Sequence, residues 1–72
     1  MITGTITTRH HRCDCVARAL SPDHLSSMET VAREGAVCTT IESDRLRSVI
    51  ASVDDYLMNL IIAEELCSFD LP

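Results

Sequence analysis

The chain opens on strict alternation. Ile2, Gly4 and Ile6 fall on one side of residues 2–8, and Thr3, Thr5 and Thr7 on the other. Threonine and isoleucine favour extended backbone, so this stretch predicts a half-buried strand. Gly4 weakens it and marks a place where another part of the chain comes close. The period then changes. Across residues 10–20, Cys13, Val16, Ala17 and Leu20 stand at i, i+3, i+4 and i+7, one face of an amphipathic helix. Ser21-Pro22-Asp23 ends it, because the residue before a proline is driven out of the helical region. Two further β-prone runs, residues 28–33 and 36–42, flank Glu34-Gly35 and predict a tight hairpin with Gly35 at positive φ. Val37, Thr39 and Ile41 share one face of the second run, Cys38 and Thr40 the other.

Residues 44–67 predict the longest element, a helix with no glycine or proline inside it and Ser43 or Asp44 as its cap. Phe69-Asp70-Leu71-Pro72 reads as a tail. The helix is more apolar than its place requires. Leu46, Val49, Ile50, Val53, Leu57, Leu60 and Ile61 form one stripe, enough to cover a three-stranded sheet. Ala51, Met58, Ile62 and Leu66 form a second group, and Tyr56 and Ala63 widen the first. A helix that is apolar nearly all round must be covered on all sides. The first helix is too short to do this, so the excess surface is expected to meet another protein. The elements together predict a single α+β domain over residues 1–72, order βαββα.

Composition sharpens this picture. At 72 residues the chain holds one small core. Such a core buries only ~60% of the unfolded surface, so association with other chains is an expected source of stability. Only Tyr56 and Phe69 are aromatic, which leaves the core thinner still. With 46% hydrophobic and 24% charged residues the chain is globular rather than disordered. It has no run of ~20 apolar residues and no basic start with a long apolar stretch, so the expected compartment is the cytosol, with no membrane partner. The net charge of -5 disfavours stand-alone nucleic-acid binding. The basic residues gather early, so Arg9, Arg12 and Arg18 are the candidates for an RNA contact. The acidic pairs Asp54-Asp55 and Glu64-Glu65 lie late and suit protein partners.

Little catalytic chemistry is legible. Cys13 and Cys15 diverge on a helix and lack the C-x₂₋₄-C turn of a zinc knuckle. With Cys38, Cys67 and the histidines they read as small buried thiols and solvated imidazoles, and a cytosolic setting disfavours disulfides. His10-His11 has no orienting partner or nucleophile at readable spacing. Asp54 and Asp55 diverge by about 100° on a helix and do not form a catalytic pair. The two glycines do not make a phosphate loop. No enzyme activity, cofactor or metal is expected. A free-standing RNA-binding module and a small Cys/His metal protein are the alternatives to a docking protein.

Several segments carry a resemblance: Ala19-Leu20-Ser21-Pro22-Asp23, then Arg33-Glu34-Gly35, then Thr39-Thr40-Ile41-Glu42. The fullest stretch runs Arg45-Leu46-Arg47-Ser48-Val49-Ile50-Ala51-Ser52-Val53-Asp54-Asp55-Tyr56-Leu57-Met58-Asn59-Leu60-Ile61-Ile62-Ala63-Glu64-Glu65. Nearly the whole chain resembles the archaeal branch of the smallest core subunit of the KEOPS complex, the polarised growth chromatin-associated controller family, or its archaeal paralogue. Asp54-Asp55-Tyr56-Leu57 with Ala63-Glu64 is the most specific part. The resemblance implies two helices on one face of a three-stranded antiparallel sheet. It also implies a non-catalytic subunit of a complex that installs threonylcarbamoyl on an adenosine of tRNA. Such a subunit dimerises, with itself or a paralogue, and docks through its helices on the catalytic transferase subunit. It would meet tRNA indirectly. Carried over by position, Val53, Tyr56, Leu57, Leu60 and Ile61 fall in the docking helix, faced by Val16, Ala17 and Leu20.

Overall fold

A computed structural model describes residues 1–20 and 28–68. The elements are β1 (Ile2–Arg9), α1 (Cys13–Leu20), β2 (Met28–Arg33), β3 (Ala36–Ser43) and α2 (Leu46–Cys67). The order is βαββα, as the periodicities predict. The Ser21-Pro22-Asp23 stop, His24 and the Phe69–Pro72 tail lie outside the described residues.

The strands form one antiparallel sheet in the order β1-β3-β2. Its centre is therefore the last strand in sequence, and α1 carries the chain from one edge to the other. The register sets Gly4, Ile41 and Met28 side by side, then Ile6, Thr39 and Thr30, then Thr8, Val37 and Ala32. These residues face both helices. Val37 and Ile41 are buried with Val16, Ala17 and Leu20 of α1 and Val49, Tyr56, Leu60 and Ala63 of α2. The opposite face carries Thr3, Thr5, Thr7, Cys38, Thr40, Glu29 and Val31, polar enough to lie open. Such one-sided burial is ordinary for antiparallel sheets.

At the hairpin both Glu34 (φ 51) and Gly35 (φ 79) are left-handed, with Arg33 paired to Ala36. A two-residue turn with two positive φ angles matches the right-handed twist of its strands. Gly4 lies beside a side chain rather than a backbone: an added Cβ there would stand 3.5 Å from Val49 Cγ1, an ordinary contact.

Both helices start later than the sequence suggests. The segment from His10 to Arg12 is a turn, and the Arg12 carbonyl accepts the first bond of α1 from Val16 N at 3.1 Å. In α2 the cap position is Arg45, extended at φ -121 and ψ 127, with no side-chain capping bond. Ser43 still belongs to β3, and its Oγ accepts from Arg45 N at 3.2 Å, outside the helix. The far end is better satisfied. Ser68 N donates to the carbonyls of Glu64 and Glu65, and Arg12 donates from a guanidinium nitrogen to Cys67 O at 2.9 Å. These groups occupy carbonyls that a helix end otherwise leaves unpaired.

Candidate docking surface

The residues of α2 divide into two apolar faces. Val49, Tyr56, Leu60, Ala63 and Cys67 point inward and are buried, with Val53 half-buried beside them. Leu46, Ile50, Leu57, Met58, Ile61, Ile62 and Leu66 point outward, from 41% exposed at Leu57 to 67% at Met58. At 3.6 residues per turn, Leu46, Ile50, Leu57 and Ile61 lie within about 60° of one another around the helix, along one flank of the buried stripe. Met58, Ile62 and Leu66 repeat at i, i+4 and i+8 and continue the surface onto the far side. Past Leu57 this face carries Met58, Ile61, Ile62 and Leu66, with Glu65 among them. Contiguous exposed apolar patches beyond a few hundred Å² are rare on monomers and mark interaction sites.

The charged residues on this side of the helix are mostly acidic, and Asp54 and Glu65 stand between the two apolar rows. Asp54, Asp55, Glu64 and Glu65 are all exposed, with Arg47 at the start of the helix. Asp55 accepts from Asn59 Nδ2 at 3.4 Å along the helix, and Asp54 is solvated. A complementary partner face would carry basic groups among apolar ones.

The structure separates the residues that the sequence groups as a docking set. Leu57 and Ile61 lie on the outward surface, and Val53 at its margin. Val16, Leu20, Tyr56 and Leu60 are 1%, 2%, 2% and 8% exposed, respectively, and fill the chain's own core. Leu46, Ile50, Met58, Ile62 and Leu66 are further large apolar residues on the outward surface. Two apolar stripes on one helix both satisfy the helical period, and the period does not say which one meets the sheet. Tyr56 decides it. Its Oη accepts from Thr39 Oγ1 at 2.7 Å, and Thr39 is paired in turn with Thr30 Oγ1 at 2.8 Å. The hydroxyl therefore has a buried partner on the sheet side. Burial raises the Tyr56 pKa above its ordinary value; the Thr39 bond opposes this, and Cys38 adds to the rise.

The arginines named for RNA are not brought together. Arg9 lies on the open sheet face at the end of β1. Arg12 binds the C-terminal end of α2, and Arg18 donates from Nε to Asp14 O of its own helix at 3.3 Å.

Two expectations about single residues are corrected. His10 is not a solvated loop residue. Its side chain is 7% exposed and sits between the Thr8 hydroxyl, 2.6 Å from Nε2, and the Glu64 carboxylate, in contact with Nδ1. The signal was its parity: His10 continues the even-numbered inner face of β1 by one residue. Cys15 and Cys67 are not free thiols but a disulfide, with Cα atoms 5.9 Å apart. Packing of α1 on the last turn of α2 brings them within bonding range. Cys13 and Cys38 remain free and half-buried. Among the described residues there is no cluster of three or more metal-binding side chains, and no helix is long and apolar enough to cross a membrane.

No family model matches the chain, and no curated protein matches it.

Proposed function

We propose that this protein is a non-catalytic docking subunit that binds a partner helix through the outward face of α2. The observation that carries this reading is the row of large apolar side chains left uncovered along that helix. α1 covers the other side of α2 and leaves this surface open. Its acidic surroundings select the partner. A second copy would bring its own Asp54, Asp55 and Glu65 against the same residues. A different protein with basic groups among its apolar ones fits better, so this face takes a heterologous partner and self-association uses another surface.

The resemblance along α2 supplies the assembly. In it the chain is the small subunit of a KEOPS-type complex in the cytoplasm, dimeric with itself or a paralogue, supporting threonylcarbamoyl modification of tRNA by holding the transferase subunit. The βαββα order agrees with that assignment.

The test is light-scattering mass of the purified chain, alone and mixed with the transferase subunit, for the native sequence and for Ile61→Glu. A defined larger complex with the native chain, weakened at least tenfold by Ile61→Glu with the fold retained, is expected. Loss of one buried isoleucine is worth ~1.5–3 kcal/mol. A native chain that ignores the transferase, or a variant that binds as well, refutes the reading. Leu60→Asp is unsuited to this purpose, because it places a charge in the core.

A further inference from the structure

We infer that the Cys15–Cys67 disulfide is a reversible two-electron clasp on the last turn of α2, opened by a dithiol reductant and closed by a disulfide oxidant such as oxidised glutathione. Three contacts converge on this turn, all from residues 10–15. Cys15 is bonded to Cys67, Arg12 donates to Cys67 O at 2.9 Å, and the His10 ring meets the Glu64 carboxylate. Beyond Ala63 the turn has little else beneath it: Glu64, Glu65 and Leu66 are exposed and Cys67 alone is buried, at 4%. The disulfide is therefore the strongest link between this turn and the body of the fold.

The bond is also reachable. Cys15 is half-buried rather than enclosed. Cys67 forms part of the wall of a recess of about 260 Å³, shared with His11, Arg12, Val16, Glu64 and Ser68. A thiolate of the reductant attacks Cys15 Sγ. The Cys15–Cys67 bond breaks, its electron pair leaves on Cys67 Sγ, and that sulfur takes up a proton. The Arg12 guanidinium at the Cys67 carbonyl places a cation close to the departing thiolate, which favours departure. The second thiolate of the reductant then attacks the mixed disulfide and releases Cys15 as a thiol. Two electrons and two protons pass to the clasp, and the reductant leaves as its own disulfide. Val16, Ala17 and Leu20 pack with Leu60 and Ala63 in one core. That packing keeps the two thiols near each other, so the bond can re-form. The turn adjoins Ile61 and Ile62 and carries Leu66, so the clasp reaches the outward face of α2; that link alone rests on the docking reading.

The chain alone provides the test. After equilibration with oxidised glutathione, denaturation and alkylation should label two cysteines, Cys13 and Cys38; after dithiothreitol, four. Hydrogen exchange at the amides of residues 64–68 should quicken at least tenfold on reduction, while residues 49–56 stay protected relative to the unfolded chain. A Cys15→Ser, Cys67→Ser double variant should exchange rapidly at 64–68 under both conditions. Four labels in both states, failure of dithiothreitol to open the bond, unchanged exchange, or global unfolding on reduction would each overturn the inference. None of these readouts depends on a partner, so absence of a complex with the transferase leaves them intact.

Discussion

Tyr56 brings together the largest buried side chain and a hydroxyl that has to be satisfied inside the fold. The Thr39 hydroxyl meets it there, itself almost wholly buried. Tyr56→Phe removes one partner of that bond and leaves Thr39 its contact with Thr30, so a loss of about 1 kcal/mol is expected in urea denaturation. The phenol also gives the fold an alkaline limit. Its pKa in the folded state is raised above 10.0, so the native state holds this proton where the unfolded state has released it. Stability from this source is complete below about pH 10 and is lost as pH rises through the higher folded value. Denaturation midpoints measured at pH 9 and above should fall with pH for the native chain and fall less steeply for Tyr56→Phe. Glu34 illustrates a cost of the opposite kind. It adopts φ 51 without the freedom of glycine, where asparagine is the better residue. Glu34→Asn should raise stability by roughly 0.5–1 kcal/mol, read as a higher urea midpoint.

At the scale of elements, α2 is a helix with two apolar faces and different consequences on each. Leu60→Asp should unfold the domain, seen as loss of the cooperative thermal transition, since it puts an unpaired carboxylate among Val16, Leu20 and Val37. Ile61→Glu, one residue along, should change stability by less than about 0.5 kcal/mol, because that side chain already faces water. The contrast locates the boundary between core and surface to one position. This boundary was the least legible feature of the sequence. Alternation exposed β1, and Glu34-Gly35 exposed the hairpin, because each pattern has a local cause. The choice between two stripes on α2 depends on Thr39, which lies 17 residues from Tyr56 along the chain and acts only once the sheet exists. The His10–Glu64 contact and the Cys15–Cys67 bond span still longer separations, 54 and 52 residues, and no local spacing announces them.

For the molecule as a whole, a thin core and one long cross-link act together. Closing a loop of 52 residues restricts the unfolded chain by about 4 kcal/mol on the chain-entropy argument. That is a large share of the stability of so small a domain. Reduction should therefore lower the melting temperature by roughly 15–30 °C in differential scanning calorimetry. The strand order has a separate consequence, in time rather than in energy. β1 and β2 both pair with β3, so the first strand made has no neighbour until Ser43 has left the ribosome. At about 5–20 residues per second this leaves a strand rich in threonine and isoleucine, charged at Arg9 alone, open for seconds in every newborn chain. Its companions cannot shelter it sooner, and the cell has that interval in which to keep it from the strands of other nascent proteins.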